Sequence, residues 1–140
     1  MELNIVRKTD TATLPVKAHK GDLGYDIFSD ENKMIAPGER MLISTGISIM
    51  SSNGKYGFVI KDRSSMAVKG LFSHAGVIDA GYTGEIKVLL HNTTDKTYQV
   101  KKYDKIAQMI PTQVFDFEVK EKEQHATTAR GEGGFGSTGR

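Results

Sequence analysis

Cysteine is absent from the 140 residues, and its absence excludes disulfides, thiolate zinc sites and cysteine nucleophiles together. No apolar run approaches the roughly 20 residues that a membrane-spanning helix needs. The opening stretch, MELNIVRKTD, has no apolar core ahead of a cleavage site. A soluble intracellular protein is expected, cytoplasmic or, in a eukaryotic host, also nuclear, with no membrane partner. A dominant charge is missing too. The 19 basic and 17 acidic residues leave a net charge of +2, which argues against direct nucleic-acid binding driven by phosphate neutralisation but leaves room for a small basic anion site. The four histidines, His19, His74, His91 and His125, show no i,i+4 pair and no metal-ligand spacing, and read as surface or turn residues. No internal repeat is visible. The hydrophobic fraction, 38%, is modest for a self-sufficient monomer, and burial shared between subunits would offset that.

What is present is a β-protein pattern. Short runs rich in β-branched and aromatic residues recur at 40–50, 56–61, 85–91 and 106–114, separated by Pro37-Gly38, Asn53-Gly54 and Ala80-Gly81. Alternation is clearest where Ile86, Val88 and Leu90 share one face, and a hairpin is expected to turn near Gly81. The one plausible helix is short, capped by Ser64 or Ser65 and ended by Gly70. Strands this short and numerous predict an all-β, jelly-roll-like β-barrel over residues 1–123 rather than a parallel α/β sheet.

Residues 124–140, QHATTARGEGGFGSTGR, cannot build a core. They combine five glycines with Phe135 and two arginines. Glycines let backbone N–H groups approach anionic oxygens, an arginine can pair with a phosphate, and a ring can stack on a base. The segment therefore reads as a flexible C-terminal arm that closes over a nucleotide.

Five segments in order, GDLGYDIFS (21–29), DRSSMAVKG (62–70), GVIDAGYTGEIKV (76–88), DKIAQMI (104–110) and RGEGGFGSTG (130–139), resemble the five ordered motifs of the trimeric dUTP pyrophosphatases. The resemblance implies hydrolysis of dUTP to dUMP and pyrophosphate, assisted by Mg2+. It also implies a homotrimer whose composite active sites are each closed by the swapped arm of another chain.

Roles follow by the same resemblance. Asp79 would be the base that activates water, and desolvation with nearby phosphate charge would strengthen it. Tyr82 would pack against the deoxyribose. Backbone atoms at Gly76 and Lys87 would read the uracil, with Ser73 a side-chain neighbour. Arg63, Ser64, Ser65 and Gln108 would hold the phosphates. Asp26 would orient water around the magnesium, an indirect metal contact. In the arm, Arg130 would pair with the γ-phosphate, Phe135 would stack on the base, and amides at Gly136, Ser137 and Thr138 would add donors. The chain departs from the pattern at Asp62, where proline is usual, at Ser65 and Tyr103, where glycine is usual, and at Lys105, where arginine is usual. The Asp62 side chain is expected to point away, toward Lys61, so that Asp62→Pro leaves activity largely intact. Two rival readings are a dCTP deaminase-like enzyme of the same fold and a nucleotide-sensing regulatory protein.

Overall fold

Ile86, Val88 and Leu90 all face inward and are essentially inaccessible, as a half-buried strand requires. The computed structural model describes residues 1–139; Arg140, the last residue of the expected arm, lies outside them. In chain order the elements are β1 (Leu3–Arg7), β2 (Tyr25–Phe28), β3 (Lys33–Ile35), β4 (Arg40–Ser44), β5 (Ile47–Ser51), β6 (Tyr56–Lys61), α1 (Ser64–Val68), β7 (Leu71–His74), β8 (Val77–Ile78), β9 (Lys87–Asn92), β10 (Tyr98–Val100) and β11 (Lys105–Gln113). The chain is all-β with one short helix. Its strands pair antiparallel in four sheets, β1-β5, β10-β3, β2-β11-β6-β8 and β4-β9-β7, rather than in one closed ring of ladders.

The sheets enclose one aliphatic core, to which Ile27, Ile35, Ile43, Ile47, Leu71, Ile106 and Met109 contribute. One buried polar side chain is woven into it. Asn92 donates to the carbonyls of Ile35 and Lys96 and accepts from Thr94, so its burial leaves nothing unpaired. Asp30, whose side chain is nearly buried, accepts from Thr9 and Thr11 and pairs with Lys102. Burial works to raise the Asp30 pKa, but the two threonine bonds and the Lys102 charge outweigh it and hold the carboxyl below its usual value. The stabilisation is therefore present above the ordinary carboxylate range and is lost as pH falls through the lowered value.

Three local expectations need correction. The run 40–50 is two strands in different sheets, β4 paired with β9 and β5 with β1, interrupted at Thr45-Gly46, where Gly46 has φ +68° and an added Cβ would meet Asp30, Thr9 and Ala12. A turn does exist at Gly81, with Tyr82 N–H donating to the Asp79 carbonyl. It is not a hairpin, because β8 pairs with β6 while β9 pairs with β4 and β7 in another sheet. The N-cap of α1 is Arg63, with no side-chain cap, so neither serine caps it. Gly70, at φ +79°, does end it.

Candidate functional site

Strand register assembles the first group of polar residues. On β11, Gln108 stands opposite Asp26 of β2 on one side and Lys61 of β6 on the other, so Asp62 and Arg63, which follow Lys61, emerge at the same end of the sheet. Asp26 is held between two cations, accepting from Arg63 Nε at 2.9 Å and from Lys105 Nζ at 2.9 Å. Arg63 also donates to Ser65 Oγ and to the Lys105 carbonyl. Gln108 Nε2 donates to the Asp62 carbonyl at 2.9 Å. The Gln108 side chain lies where only a glycine at position 24 leaves room, since a Cβ there would overlap its amide. One carboxylate facing two fixed cations leaves an excess of positive charge and spare donors. Of these, Arg63, Ser65 and Lys105 line a cleft of about 510 Å³ together with Lys69 and Lys101, while Asp26 and Gln108 stand behind them and do not line it.

The second group lines a cleft of about 700 Å³ that includes His74, Gly76, Asp79, Tyr82 and Lys87. Asp79 follows β8, is exposed, and its carboxylate takes part in no hydrogen bond or ion pair among the described residues. It is free to accept a proton. The Tyr82 hydroxyl donates to the Glu85 carbonyl, and its ring lies so close to Gly84 that a Cβ there would collide with it. Ala75 and Gly76, which line this cleft, both have positive φ. Their turn is pinned by the Ile60 N–H, which donates to the Gly76 carbonyl at 2.7 Å.

The departures from the expected pattern behave differently from one another. Asp62 does not turn toward Lys61. Its Oδ1 accepts from both the N–H and the hydroxyl of Ser73, which also means that the Ser73 hydroxyl is engaged away from the cleft. Ser65 lies in α1 without positive φ and is unstrained. Tyr103 keeps a left-handed turn, φ +72°, at a cost of about 1–2 kcal/mol for a residue with a Cβ. His74 and His91, read from sequence as unrelated, are joined across β7 and β9 by a 3.0 Å ring-to-ring hydrogen bond. Only a cross-strand register could have exposed that pairing.

The arm stays apart. The Val114 N–H bonds to the Lys55 carbonyl, and beyond it every bond among the described residues stays within the arm, as in Arg130 Nε to the Gly133 carbonyl. Arg130, Phe135, Gly136, Ser137 and Thr138 line a hollow of the arm's own. None of them reaches either cleft, and no residue lines both clefts.

An all-β fold therefore carries an unpaired carboxylate in one cleft, a basic group at another and a glycine-rich segment that lines neither. A dUTPase family model matches residues 10–139, and the chain belongs to the dUTPase family. It is 45% identical to the deoxyuridine 5'-triphosphate nucleotidohydrolase of Paramecium bursaria Chlorella virus 1, over 98% of this chain and 97% of that one. Identity is also 45% to the enzyme of the same name from Clostridium kluyveri, over 99% of both chains. Among solved structures it is similar to a dUTPase of Staphylococcus bacteriophage 80alpha with dUPNHPP, at 28% identity and a TM-score of 0.91 over 99% of both chains. A mutant dUTPase from phage phi11 of S. aureus, described with a structural Mg(II) ion, matches at 27% identity and a TM-score of 0.83 over 91% of this chain and all of that one.

Proposed function

We propose that this protein hydrolyses dUTP to dUMP and pyrophosphate in active sites completed by neighbouring copies of the chain. The observation that carries the reading, beside family membership, is the unpaired Asp79 carboxylate standing in a cleft with Tyr82 and the Gly76 turn. Asp79 takes a proton from a water whose oxygen bonds to the α-phosphorus. The bond from that phosphorus to the bridging oxygen breaks, and the electron pair leaves with pyrophosphate. Arg63, Gln108 and the Ser64 hydroxyl bind the phosphates and take up charge that grows on the leaving group. The Ser65 N–H adds a donor. Tyr82 packs on the sugar, and backbone groups at Gly76 and Lys87 read the base. Ser73 is assigned no direct contact, because its donors are held by Asp62.

The residues fit a magnesium ion carried by the substrate's own phosphates. No cluster of three or more metal-ligating side chains exists among the described residues, and both oxygens of Asp26 already face cations. Its remaining lone pairs can still accept from metal-bound water. Bound there, Mg2+ neutralises phosphate charge.

Two observations support a composite homotrimer. The base-side and phosphate-side clefts share no residue within one chain, and the segment after β11 carries Phe115, Phe117 and Val119 in alternation, all exposed. That is the pattern of a strand lacking its sheet, and covering each such side chain stabilises by about 1.5–3 kcal/mol. A second chain would cover it, delivering Arg130, Phe135 and the amides of Gly136, Ser137 and Thr138 to a neighbour's nucleotide. Among the described residues no helix is long and apolar enough to cross a membrane.

Pyrophosphate release with Mg2+, compared across dUTP, UTP, dTTP and dCTP, tests the activity. Selective dUTP cleavage is expected, whereas equal cleavage of UTP, or ammonia from dCTP, overturns it. Mixing Asp79→Ala chains with chains truncated after Glu123 tests the assembly. Recovered activity is expected, and mixed assemblies that stay inactive rule out the composite site.

A further inference from the structure

Asp62 sits at the junction of the two half-sites. Its carbonyl accepts from Gln108 Nε2, and its successor Arg63 pairs with Asp26, so its backbone belongs to the phosphate side. Its side chain points the other way. Oδ1 takes the N–H and the hydroxyl of Ser73, the residue before His74, where β7 gives way to the Ala75-Gly76 turn and the base-side cleft.

The sheet shows why Ser73 needs such a partner. β7 is an edge strand, paired among the described residues only with β9, and an N–H directed at the open edge must otherwise be met by water or by another chain. Both donors of one residue meet a single charged oxygen, a stronger arrangement than two neutral bonds. The bond from Ile60 N–H to the Gly76 carbonyl and the β6-β8 pairing that follows it fasten the far side of the base-side turn to β6, and the Asp62 bonds fasten its β7 side. The Asp62 link joins that side to the residue whose carbonyl Gln108 uses.

We propose that Asp62 is a positioning residue that fixes the base-side strand against the phosphate-side turn, so that its carboxylate sets how well nucleotide is bound. The proposal rests on the hydrolase reading for its kinetic consequence, though not for the contact itself. It reverses the expectation that proline would serve equally well at this position. A proline keeps the carbonyl that Gln108 uses and removes the acceptor that Ser73 uses.

The test compares Asp62→Ala, Asp62→Pro and Asp62→Asn. With dUTP, the alanine and proline variants are expected to raise KM about tenfold while kcat falls less than threefold, because Asp79 and its water are untouched. Asparagine retains an acceptor oxygen and should stay within about threefold of the parent KM. Amide hydrogen exchange at Ser73, read by NMR without nucleotide, should accelerate at least tenfold in the alanine variant and stay slow in the asparagine variant. Parental KM in the alanine or proline variants overturns the proposal. So does a loss confined to kcat and tracking a lower Tm, or an asparagine variant no better than alanine. If the parent protein cleaves no dUTP, the hydrolase reading fails by itself, and the Ser73 exchange rate still decides whether Asp62 holds the strand.

Discussion

Arg63 and Arg130 are assigned to the same phosphates, yet the molecule treats them in opposite ways. Arg63 is tied to Asp26, Ser65 and the Lys105 carbonyl, so folding has already fixed its guanidinium. Among the described residues the Arg130 side chain bonds only to the carbonyl of Gly133, three residues away, in a segment without a strand or helix from 114 to 139. Ordering a long charged side chain and its backbone costs a few kcal/mol. For Arg63 that cost is met when the chain folds. For Arg130 it falls on nucleotide binding, where it can be returned only if the arm gains contacts it lacks in the isolated chain. In the proposed composite site, one half would be a scaffold and the other a closure element whose order depends on ligand.

Removing the closure element should give the largest effect. Truncation after Glu123 is expected to lower kcat/KM for dUTP at least a hundredfold, since Arg130, Phe135 and the terminal amides go together. Tm should move by less than about 2 °C, because among the described residues the arm makes no bonds to the body beyond Val114. Steady-state kinetics beside a thermal melt would check this. A Tm that collapses with the activity would erase the distinction between scaffold and closure.

A smaller effect comes from disturbing the scaffold. In Gly24→Ala the new Cβ would strike the Gln108 amide and crowd its Cβ at 3.1 Å, so the side chain must swing and give up its bond to the Asp62 carbonyl. The expected outcome is a tenfold to thirtyfold fall in kcat/KM with about 1 kcal/mol of stability lost, from one hydrogen bond and a local shift. Here activity and stability should fall together, the reverse of the truncation. Kinetics and denaturant unfolding of the same preparation would show it.

Phe135 offers a narrower version of the first test. Its ring is fully exposed, so Phe135→Ala should leave the melting curve unchanged and raise KM about fivefold to tenfold, the scale of one stacking contact. An unchanged KM would mean that the arm closes without placing its ring on the base.

How far the sequence revealed this division depends on what each part is made of. Alternation exposed β9, and glycine placement exposed the end of α1, because both signals are local. The four-sheet pairing was not legible, since strands of two to nine residues, most of them five or fewer, carry too little pattern to name their partners. The split at Gly46 and the crossing at Ala75-Gly76 depend on neighbours distant in sequence, Asp30 and Thr9 for one and Ile60 for the other. Ordered motifs gathered Asp79, Tyr82, Arg63 and Gln108 into one chemistry without locating them in space. They could not show that Asp62 and Ser73 are a bonded pair, because eleven residues and a helix separate the two and neither has a distinctive local signature. The apolar alternation of Phe115, Phe117 and Val119 was legible in principle. It becomes meaningful once those side chains are found exposed.

The least effect is expected where the scaffold's own precision is tested. The Tyr82 ring lies against Gly84 with its hydroxyl bonded to the Glu85 carbonyl, so the ring's plane is set by a backbone that carries no Cβ at that point. Gly84→Ala must push the ring off this surface, because hydroxyl and ring carbons alike fall inside contact distance of the new methyl group. The residue itself has no positive φ, so strain in the chain is not the cause, and stability should fall by no more than about 1 kcal/mol. Turnover of dUTP should drop only about threefold, because Asp79 and the phosphate groups keep their places. Discrimination should suffer more than rate. A ring that no longer presses on the sugar admits a ribose hydroxyl, so the dUTP to UTP ratio of kcat/KM should narrow by about tenfold, within the modest range that an apolar surface can enforce. Competition between the two nucleotides in one reaction would read that ratio directly. A ratio that survives Gly84→Ala would move sugar selection from Tyr82 to the closing arm, and so from the half of the site that folding fixes to the half that binding orders.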